Sequence, residues 1–297
     1  MEIGFLGAGK MGLPICWNIA RKLERPVLVH DLQPPNLPPE AQAEVRLLRF
    51  AADMAELKDC DLVVLCLPDS KAVSAVVEGR DGKPGLIDIL QHGCSILDCG
   101  SSIPSETLRL AGRLADRGIM LNDAPVSGGL ARAWKAELTV MAGGVGDDNP
   151  VLPILEGFAS KIVRLENVGD GHVMKAANNY LLAANIVSFA EALRFARTAG
   201  ISFEKFGEVV NSSSGASYVS ANKLETVRRD DDSVSFTSAL IAKDVRNFID
   251  SCDRLGLSLP MVGNVLDVWE TAIETVGGDV DSMKIYHSIG RGRLNGA

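Results

Sequence analysis

Six residues near the start of the chain, Gly7-Ala8-Gly9-Lys10-Met11-Gly12, form a GxGxxG pattern. An apolar run precedes them and an amphipathic run follows, so the pattern lies where a predicted strand turns into a predicted helix. There the first glycine permits a tight turn, the second lets the backbone approach a pyrophosphate, and the third lets helix and strand pack closely. N–H groups at the helix start then hold the phosphates. The pattern predicts a dinucleotide site at Gly7, Gly9, Lys10, Met11 and Gly12.

An acidic residue, Asp31, follows the next predicted strand and lies 22 residues after Gly9. At this spacing a carboxylate accepts hydrogen bonds from the adenosine ribose, although Asp31 is also typical of an ordinary turn. Its charge would repel the 2′-phosphate of NADP, and residues 32–35 include no arginine to bind that phosphate. The sequence therefore predicts NAD in preference to NADP.

Leu67-Pro68 and Ser101 come just after two further predicted strands. Open α/β sheets bind their ligands at the carboxyl ends of the strands, so both positions are candidates for ligand contact. On spacing alone, an ordinary loop residue is the commoner interpretation of each.

Lys175 lies in a long apolar segment, three residues before Asn178 and four before Asn179. Residues four apart share one face of a helix, so Lys175 and Asn179 are predicted to lie together. A lysine in a helix is most often a solvated surface residue. Here the apolar neighbours favour partial burial, which lowers a lysine pKa toward neutral pH and allows proton exchange. Lys243-Asp244, in a later predicted helix, supplies either a second positive charge or an exposed ion pair.

The turn Ser127-Gly128-Gly129 follows another predicted strand. Its N–H groups and hydroxyl can bind a carboxylate, whereas an ordinary glycine turn is the alternative. The six cysteines and four histidines show no metal-ligand spacing and no disulfide pattern. The sequence therefore predicts neither a bound metal nor a disulfide framework.

Alternating strands and helices in the first half of the chain position these residues. Strands are predicted at residues 3–6, 27–30, 45–48, 62–67, 95–98, 119–122, 138–142 and 162–165, with helices that include 11–23 and 105–117. Helices alone are predicted afterwards, at residues 173–199, 203–212, 217–228, 237–255 and 261–276. We therefore expect a doubly wound, mostly parallel α/β Rossmann domain over residues 1–165. An all-helical domain is expected over residues 166–297.

Composition and charge narrow the class of partner. Thirty basic against 38 acidic residues give a net charge of −8, so no global positive field attracts nucleic acid or an anionic membrane. The longest apolar runs fall far short of the ~20 residues that span a bilayer. The chain begins Met1-Glu2-Ile3 without a basic leader and an apolar signal segment, which predicts a cytoplasmic protein. The apolar circumference of residues 173–199 predicts a homo-oligomer.

Several motifs occur in order along nearly the whole chain. They are GxGxMGxP (residues 7–14), Leu67-Pro68, residues 123–129, Leu138-Thr139, GxxxKxxNN (residues 171–179), Ser213-Ser214-Gly215 and residues 236–244. Together they resemble the β-hydroxyacid dehydrogenases, the family that includes 3-hydroxyisobutyrate dehydrogenase and tartronate semialdehyde reductase. The resemblance implies a Rossmann domain (residues 1–165) joined through a long helix to an all-helical domain for substrate binding and oligomerisation (residues 166–297), and a dimer or tetramer.

The resemblance also implies a role for each matching residue. Lys175 would be the catalytic acid/base, and Asn179 would hold the substrate beside it. Ser127, Gly128 and Gly129 would bind the substrate carboxylate. The further positions that it implies for the cofactor are Leu67, Pro68, Ser101 and Lys243.

Five positions depart from the family pattern. Ala131, Arg132 and Ala136 replace small residues, often glycine or alanine, in the loop before Leu138. Ala216 and Tyr218 stand where an arginine and a tryptophan are usual. These changes bear on the identity of the substrate more than on the type of reaction.

The predicted reaction is the reversible NAD-dependent oxidation of a small β-hydroxy acid to its semialdehyde or keto acid, without a metal ion. Lys175 would accept the hydroxyl proton as hydride leaves the carbon. One alternative is an enzyme similar to 6-phosphogluconate dehydrogenase, whose known members share the early motifs but are longer. Another is a noncatalytic NAD-binding module on the same fold. The joint presence of Lys175, Asn179 and the Ser-Gly-Gly turn favours an enzyme.

Overall fold

The computed structural model describes residues 1–33, 37 and 45–290. The chain divides into two compact units, residues 1–175 and residues from 176 onward. Strands and helices alternate through the first unit, whereas the second unit is built of helices. This arrangement confirms the predicted fold class, a Rossmann-type α/β domain followed by a helical domain.

Nine strands of the described residues form one sheet in the first unit. They are β1 (Ile3–Leu6), β2 (Val27–His30), β3 (Leu48–Phe50), β4 (Leu62–Leu65), β5 (Ser95–Asp98), β6 (Met120–Asp123), β7 (Val126–Ser127), β8 (Leu138–Gly143) and β9 (Ala159–Leu165). Six strands lie in the order β3-β2-β1-β4-β5-β6 and are all parallel. The strands β2 and β3 are added on one side of β1 and the strands from β4 onward on its other side, so the strand order reverses between β1 and β4. β8 is antiparallel to β6 and β7 and parallel to β9. The sheet is therefore doubly wound and mostly parallel.

Helices cover both faces of this sheet. They are α1 (Gly12–Leu23), α2 (Ser70–Glu78), α3 (Leu86–Ile89), α4 (Pro104–Ala115), α5 (Gly129–Trp134) and α6 (Leu152–Phe158). Successive side chains of a strand point to opposite faces. Phe5 and Val64 accordingly pack with Ile15 of α1 in one core, whereas Leu6 packs with Leu110 of α4 in the other. Burying each such side chain stabilises the fold by about 1.5–3 kcal/mol.

The carboxyl ends of the central strands are level with one another. Leu6 is the register partner of Leu65, Leu65 of Asp98, and Asp98 of Asp123. The loops that follow these four residues therefore emerge side by side at one edge of the sheet. This edge carries the candidate site residues of the first unit.

The second unit contains its own core. Its helices are the later part of α7 (Asp170–Thr198), then α8 (Phe203–Asn211), α9 (Tyr218–Arg229), α10 (Ser238–Arg254) and α11 (Val262–Val276). Trp269 of α11 is completely buried and packs in one cluster with Ala183, Ile241 and Val245. Its indole N–H donates a hydrogen bond to the carbonyl of Ala183 at 3.4 Å.

The structure corrects several element boundaries. The strand predicted at residues 45–48 is wrong, because Val45–Leu47 forms a 3-10 turn and the strand is Leu48–Phe50. Among the described residues β3 pairs with β2 alone and forms the edge of the sheet, so two of its three residues are exposed. The apolar residues that suggested a strand therefore include Val45 and Leu47 of the preceding turn. The prediction also gave no bounds for α2, α3, α5, α6 and β7. Of these, β7 has two residues, α3 four and α5 six, which is too short to show a clear period.

Candidate active site

The predicted dinucleotide loop joins β1 to α1, beside the point where the strand order reverses. Gly7 has a φ of +92°, and a Cβ atom there would overlap the carbonyl oxygen of Cys66. A Cβ atom at Gly12 would overlap the Gly7 carbonyl oxygen, so the helix start lies directly against the turn. Both positions therefore require glycine for the conformation and close packing of this loop.

Gly9 faces open space instead. No atom of the described residues lies within 4 Å of the position that its Cβ would take. Helix α1 then begins without a side-chain cap on Met11 and without an acidic residue in its first turn. Its first N–H groups and its partial positive charge can therefore hold an anion, and Lys10 is exposed in the same turn. The loop fits the pyrophosphate of a dinucleotide.

Asp31 lies at the neighbouring strand end. The Gly7 N–H donates to the carbonyl of His30 at 3.2 Å, which places Asp31 next to the glycine loop. One carboxylate oxygen of Asp31 accepts a hydrogen bond from the Gln33 N–H at 3.0 Å. The carboxylate thus stands where a ribose bound beside the loop would meet it. Residues 34 and 35, which entered the prediction of NAD over NADP, lie outside the described residues.

Leu67, Pro68 and Ser101 belong to the same edge. The Cys66 N–H donates to the Leu6 carbonyl at 2.9 Å, which continues the pairing beyond β4. A Cβ atom at Gly100 would lie 3.0 Å from the Leu67 carbonyl oxygen, so the loops after β4 and β5 touch. Leu67 and Ser101 are half-buried and Pro68 is exposed. The structure therefore brings these three residues together next to Gly7.

The Ser-Gly-Gly turn connects β7 to α5. Ser127 pairs with Thr139 of β8, and Gly128 follows with a φ of +135°. Gly129 has no atom of the described residues within 4 Å of its Cβ position. The exposed side chain of Arg132 runs along this turn, with its Cδ atom 3.3 Å from the Cβ position of Gly128. The turn is open to a small anion on the side of Gly129.

Lys175 lies beside this turn, near the start of α7. It is half-buried, and its Nζ atom donates to the carbonyl oxygen of Val126 at 2.8 Å. Val126 directly precedes Ser127, so the lysine amine is held next to the predicted carboxylate-binding residues. Within the first unit, the structure therefore joins two candidates that are far apart in the sequence.

Asn179 and Lys243 are joined in the second unit through Asp244. Asn179 is buried, and its amide nitrogen donates to one Asp244 carboxylate oxygen at 2.5 Å. The other oxygen lies 3.0 Å from the Lys243 amine. The Lys243-Asp244 pair forms, but its carboxylate is buried, so the alternative of a fully exposed ion pair is wrong. The Asn178 amide nitrogen also donates to the Asn179 oxygen at 3.1 Å.

A buried polar network at the start of α7 was not predicted. The His172 ring is completely buried, with Nδ1 2.8 Å from the Thr107 hydroxyl and Nε2 3.7 Å from the Asp98 carboxylate. The Asp123 carboxylate accepts hydrogen bonds from the N–H groups of Gly169 at 2.6 Å and His172 at 2.8 Å. The available signal was an aspartate at the end of each of two adjacent strands, together with a histidine three residues before Lys175.

Two further features of the described residues bear on function. They contain no group of three or more His, Cys, Asp or Glu side chains arranged to hold a metal ion. Over the same residues, none of the helices combines the length and apolar character that crossing a membrane requires.

Comparison with protein families gives one match for each part of the chain. Residues 2–168 match the model described as the NAD binding domain of 6-phosphogluconate dehydrogenase. Residues 169–289 match the model described as NAD-binding of NADP-dependent 3-hydroxyisobutyrate dehydrogenase. Together the two matches account for most of the chain.

Similar proteins extend over almost the full length. The chain is 29% identical to 2-(hydroxymethyl)glutarate dehydrogenase of Eubacterium barkeri, over 91% of this chain and 88% of that protein. It is 28% identical to 2-hydroxy-3-oxopropionate reductase of Escherichia coli, over 97% of each. Among solved structures, 3-hydroxyisobutyrate dehydrogenase of Mycobacterium tuberculosis superposes with a TM-score of 0.83, at 23% identity, over 98% of this chain and 100% of that one. At that identity the superposition supports the fold.

Proposed function

Since the chain belongs to the β-hydroxyacid dehydrogenase family of NAD(P)-dependent oxidoreductases, we propose that it interconverts a small β-hydroxy acid and its semialdehyde or keto acid, with Lys175 as the acid/base. One observation carries the proposal. The Lys175 amine is held 2.8 Å from the carbonyl of Val126, directly before the Ser127-Gly128-Gly129 turn. A group that can exchange a proton therefore stands beside a turn that can bind a carboxylate.

Each of these residues has a chemical task in the proposed reaction. The Ser127 hydroxyl and the N–H groups of the turn bind the substrate carboxylate. Lys175, as a neutral amine, accepts the hydroxyl proton as the hydride leaves carbon; in the reverse direction its ammonium form protonates the developing alkoxide. A nicotinamide dinucleotide held by the glycine loop after β1 would serve as acceptor or donor of the hydride. The Val126 carbonyl holds the lysine in place, because the reaction depends on accurate placement of the reacting groups.

The cofactor assignment rests on the loop after β1. Gly7, Gly9 and Gly12 would hold the pyrophosphate, and Asp31 would accept hydrogen bonds from the adenosine ribose. The negative charge of Asp31 supports NAD over NADP. Leu67, Pro68 and Ser101 lie at the same sheet edge and are proposed to line the cofactor site. For Lys243 we keep a cofactor contact as a proposal based on the family resemblance.

Asn179 is proposed to bind substrate, as the family resemblance implies. Asp244 accepts a hydrogen bond from its amide nitrogen, and this bond fixes which way the amide faces. A fixed amide can bind a ligand without the entropy cost of ordering a free side chain.

The substrate class follows from the relatives and from the turn. The relatives are named for 2-(hydroxymethyl)glutarate and 2-hydroxy-3-oxopropionate, both small hydroxy acids or their oxidised forms. A small anion with a hydroxyl group on the reacting carbon fits the Ser-Gly-Gly turn and the lysine. The match to the 6-phosphogluconate dehydrogenase model covers only residues 2–168, so it supports the cofactor site rather than that substrate. We therefore keep 6-phosphogluconate as a second candidate to be assayed.

A homodimer or homotetramer in the cytoplasm is also proposed. Two large apolar side chains of α7 within the second unit are exposed, Leu181 to 60% and Phe195 to 77%. Apolar residues of this size are typically covered by another chain when they form part of one patch. Sedimentation analysis of the purified protein would give the number of copies.

The proposal is tested by following nicotinamide absorbance with NAD and NADP across small β-hydroxy acids, their semialdehydes and 6-phosphogluconate. Lys175→Met should lower kcat by about 10²–10⁴-fold, because general acid/base catalysis contributes roughly that much. The affinity for NADH should stay unchanged. Lys161→Met, at an exposed lysine of the same unit, is the matched control. Turnover that survives Lys175→Met would remove the lysine from the mechanism, and bound NADH without turnover of any compound would favour a noncatalytic module.

A further inference from the structure

The buried network around His172 lies at the first turn of α7, three residues before Lys175, and has no role in the reaction proposed above. It contains one imidazole and two carboxylates, those of Asp98 and Asp123, and all three residues are at most 1% exposed. Burying so many polar groups is costly unless hydrogen bonds satisfy them. Such a cluster therefore needs an explanation.

Asp123 fixes the backbone at the start of α7. Its two carboxylate oxygens accept hydrogen bonds from the Gly169 and His172 N–H groups, at 2.6 and 2.8 Å. A carboxylate at a helix start is favourable because the first N–H groups lack partners within the helix. Gly171 comes so close that its Cβ would lie 2.7 Å from the same carboxylate. The first turn of α7 is therefore attached to the end of β6.

His172 attaches the same turn to two other elements. Its Nδ1 atom is hydrogen-bonded to the hydroxyl of Thr107 in α4 at 2.8 Å, whereas its Nε2 atom faces the Asp98 carboxylate at 3.7 Å and makes no hydrogen bond within the described residues. That carboxylate in turn accepts hydrogen bonds from the Ser102 hydroxyl at 2.7 Å and the Gly100 N–H at 2.8 Å. These two residues flank Ser101. The imidazole therefore packs between the carboxylate that fixes the Ser101 loop, which is proposed to contact the cofactor, and the helix turn that carries Lys175.

Lys175 follows His172 by three residues, so the two lie within one turn of the same helix. A shift of the His172 backbone would move the lysine by a similar amount. The Lys175 amine reaches Val126 at 2.8 Å only if this turn keeps its place. Hydride and proton transfer tolerate little displacement, and about 1 Å of misplacement can cost on the order of 10²-fold in rate.

We propose that His172 is a positioning residue, which through Thr107 and Asp98 holds the Lys175 amine and the Ser101 loop in one fixed arrangement. This rests on the proposed role of Lys175. It assigns His172 no proton transfer with the substrate. It predicts that loss of the imidazole lowers kcat and leaves cofactor binding nearly intact.

The experiment compares two replacements of the histidine. His172→Asn keeps an amide that can bond Thr107 in place of Nδ1, whereas His172→Leu keeps volume without any hydrogen bond. We expect His172→Leu to lower kcat about tenfold to 100-fold while the dissociation constant of NADH changes by less than about twofold. His172→Asn should recover most of the rate. Thr107→Val should resemble His172→Leu, and the double variant should be no worse than either one, because both remove one interaction.

A second readout does not need turnover. Reductive methylation followed by mass spectrometry gives the labelling rate of each lysine in the folded protein. In the wild type, half-buried Lys175 should be labelled more slowly than exposed Lys161, and His172→Leu should bring the two rates closer. Ser105→Ala, which removes a hydroxyl from the same helix as Thr107, is the control and should change neither rate.

The outcomes separate the two proposals. If turnover depends on Lys175 but His172→Leu and Thr107→Val keep both kcat and the slow labelling of Lys175, the positioning role is overturned. If the wild type turns over no substrate, or Lys175→Met retains activity, the proposed function fails. The labelling rates then still decide whether His172 holds the lysine. Should His172→Leu not fold, Thr107→Val provides the same test.

Discussion

Replacing Gly9 with alanine should weaken cofactor binding without lowering the free energy of unfolding. The Cβ position of Gly9 has no atom of the described residues within 4 Å, and its φ lies outside the left-handed region. The new methyl group therefore meets no protein atom. Alanine also restricts the unfolded chain, which stabilises a protein by about 0.4–1 kcal/mol where the backbone accepts it. The free energy of unfolding without cofactor should stay the same or rise slightly.

The cofactor should be affected strongly. The methyl group would occupy the space through which a pyrophosphate approaches the N–H groups at the start of α1. Losing one hydrogen bond to a charged group costs about 1.5–3 kcal/mol. Converted to a dissociation constant, this is a weakening of roughly 10- to 150-fold for NADH. The change should appear in KM for the cofactor and much less in kcat.

The assay is a fluorescence titration with NADH and NADPH, paired with thermal unfolding of the cofactor-free protein. Gly146→Ala is the matched control, because this glycine also has open space around its Cβ position but lies in an exposed loop after β8. Gly12→Ala is the opposite control, since its Cβ would overlap the Gly7 carbonyl and should prevent folding. Unchanged NADH affinity in folded Gly9→Ala would refute the assignment of this loop to the pyrophosphate.

Three further outcomes are expected. Asp31→Ser should improve binding of NADPH relative to NADH by about tenfold or more, measured by parallel titrations, because a like charge beside the 2′-phosphate is lost; an unchanged ratio would contradict the ribose contact. Arg132→Gly should raise KM for hydroxy acids with a second carboxylate more than for those with one, because the aliphatic part of this cationic side chain lies against Gly128 of the Ser-Gly-Gly turn; equal changes would place it outside the substrate site. Burial, with a smaller effect of Asp98, raises the pKa of the Cys66 thiol to about 12, so iodoacetamide at pH 8 should modify it far more slowly than the amino acid cysteine in solution, with the rate rising as pH increases; rapid alkylation at Cys66 itself, located by peptide mass spectrometry of the folded protein, would disprove this burial.

The Rossmann part of the fold was predictable because its signals are local. Ile3–Leu6 and Val27–His30 are short apolar runs bounded by turn residues, and both strands have the predicted bounds. Gly7 and Gly12 are required by contacts within one βαβ unit, so their spacing alone indicates their function. The helices of the second unit were predicted to within a few residues. The later four have an apolar period and a clear end, and α7 is a long segment that is apolar around most of its circumference.

The short elements were less predictable. Helix α5, of six residues, follows Gly128, begins with Gly129 and has no complete apolar period. Strand β7, of two residues, is defined only by its antiparallel pairing with β8. Both carry the Ser-Gly-Gly turn. The part of the chain proposed to bind substrate was therefore recognised by its motif, and not by the elements that hold it.

The position of Lys175 shows what a sequence alone leaves open. Its apolar surroundings correctly indicated a half-buried side chain, but its partner, the Val126 carbonyl, lies 49 residues earlier and has no side-chain signal at all. His172 was overlooked for a related reason. Its position became apparent only from its contacts with Thr107, Asp98 and Asp123, and these residues come from three different elements. These contacts depend on the parallel register that places Asp98 beside Asp123, so the residues that hold the lysine become visible only once the strand order is known.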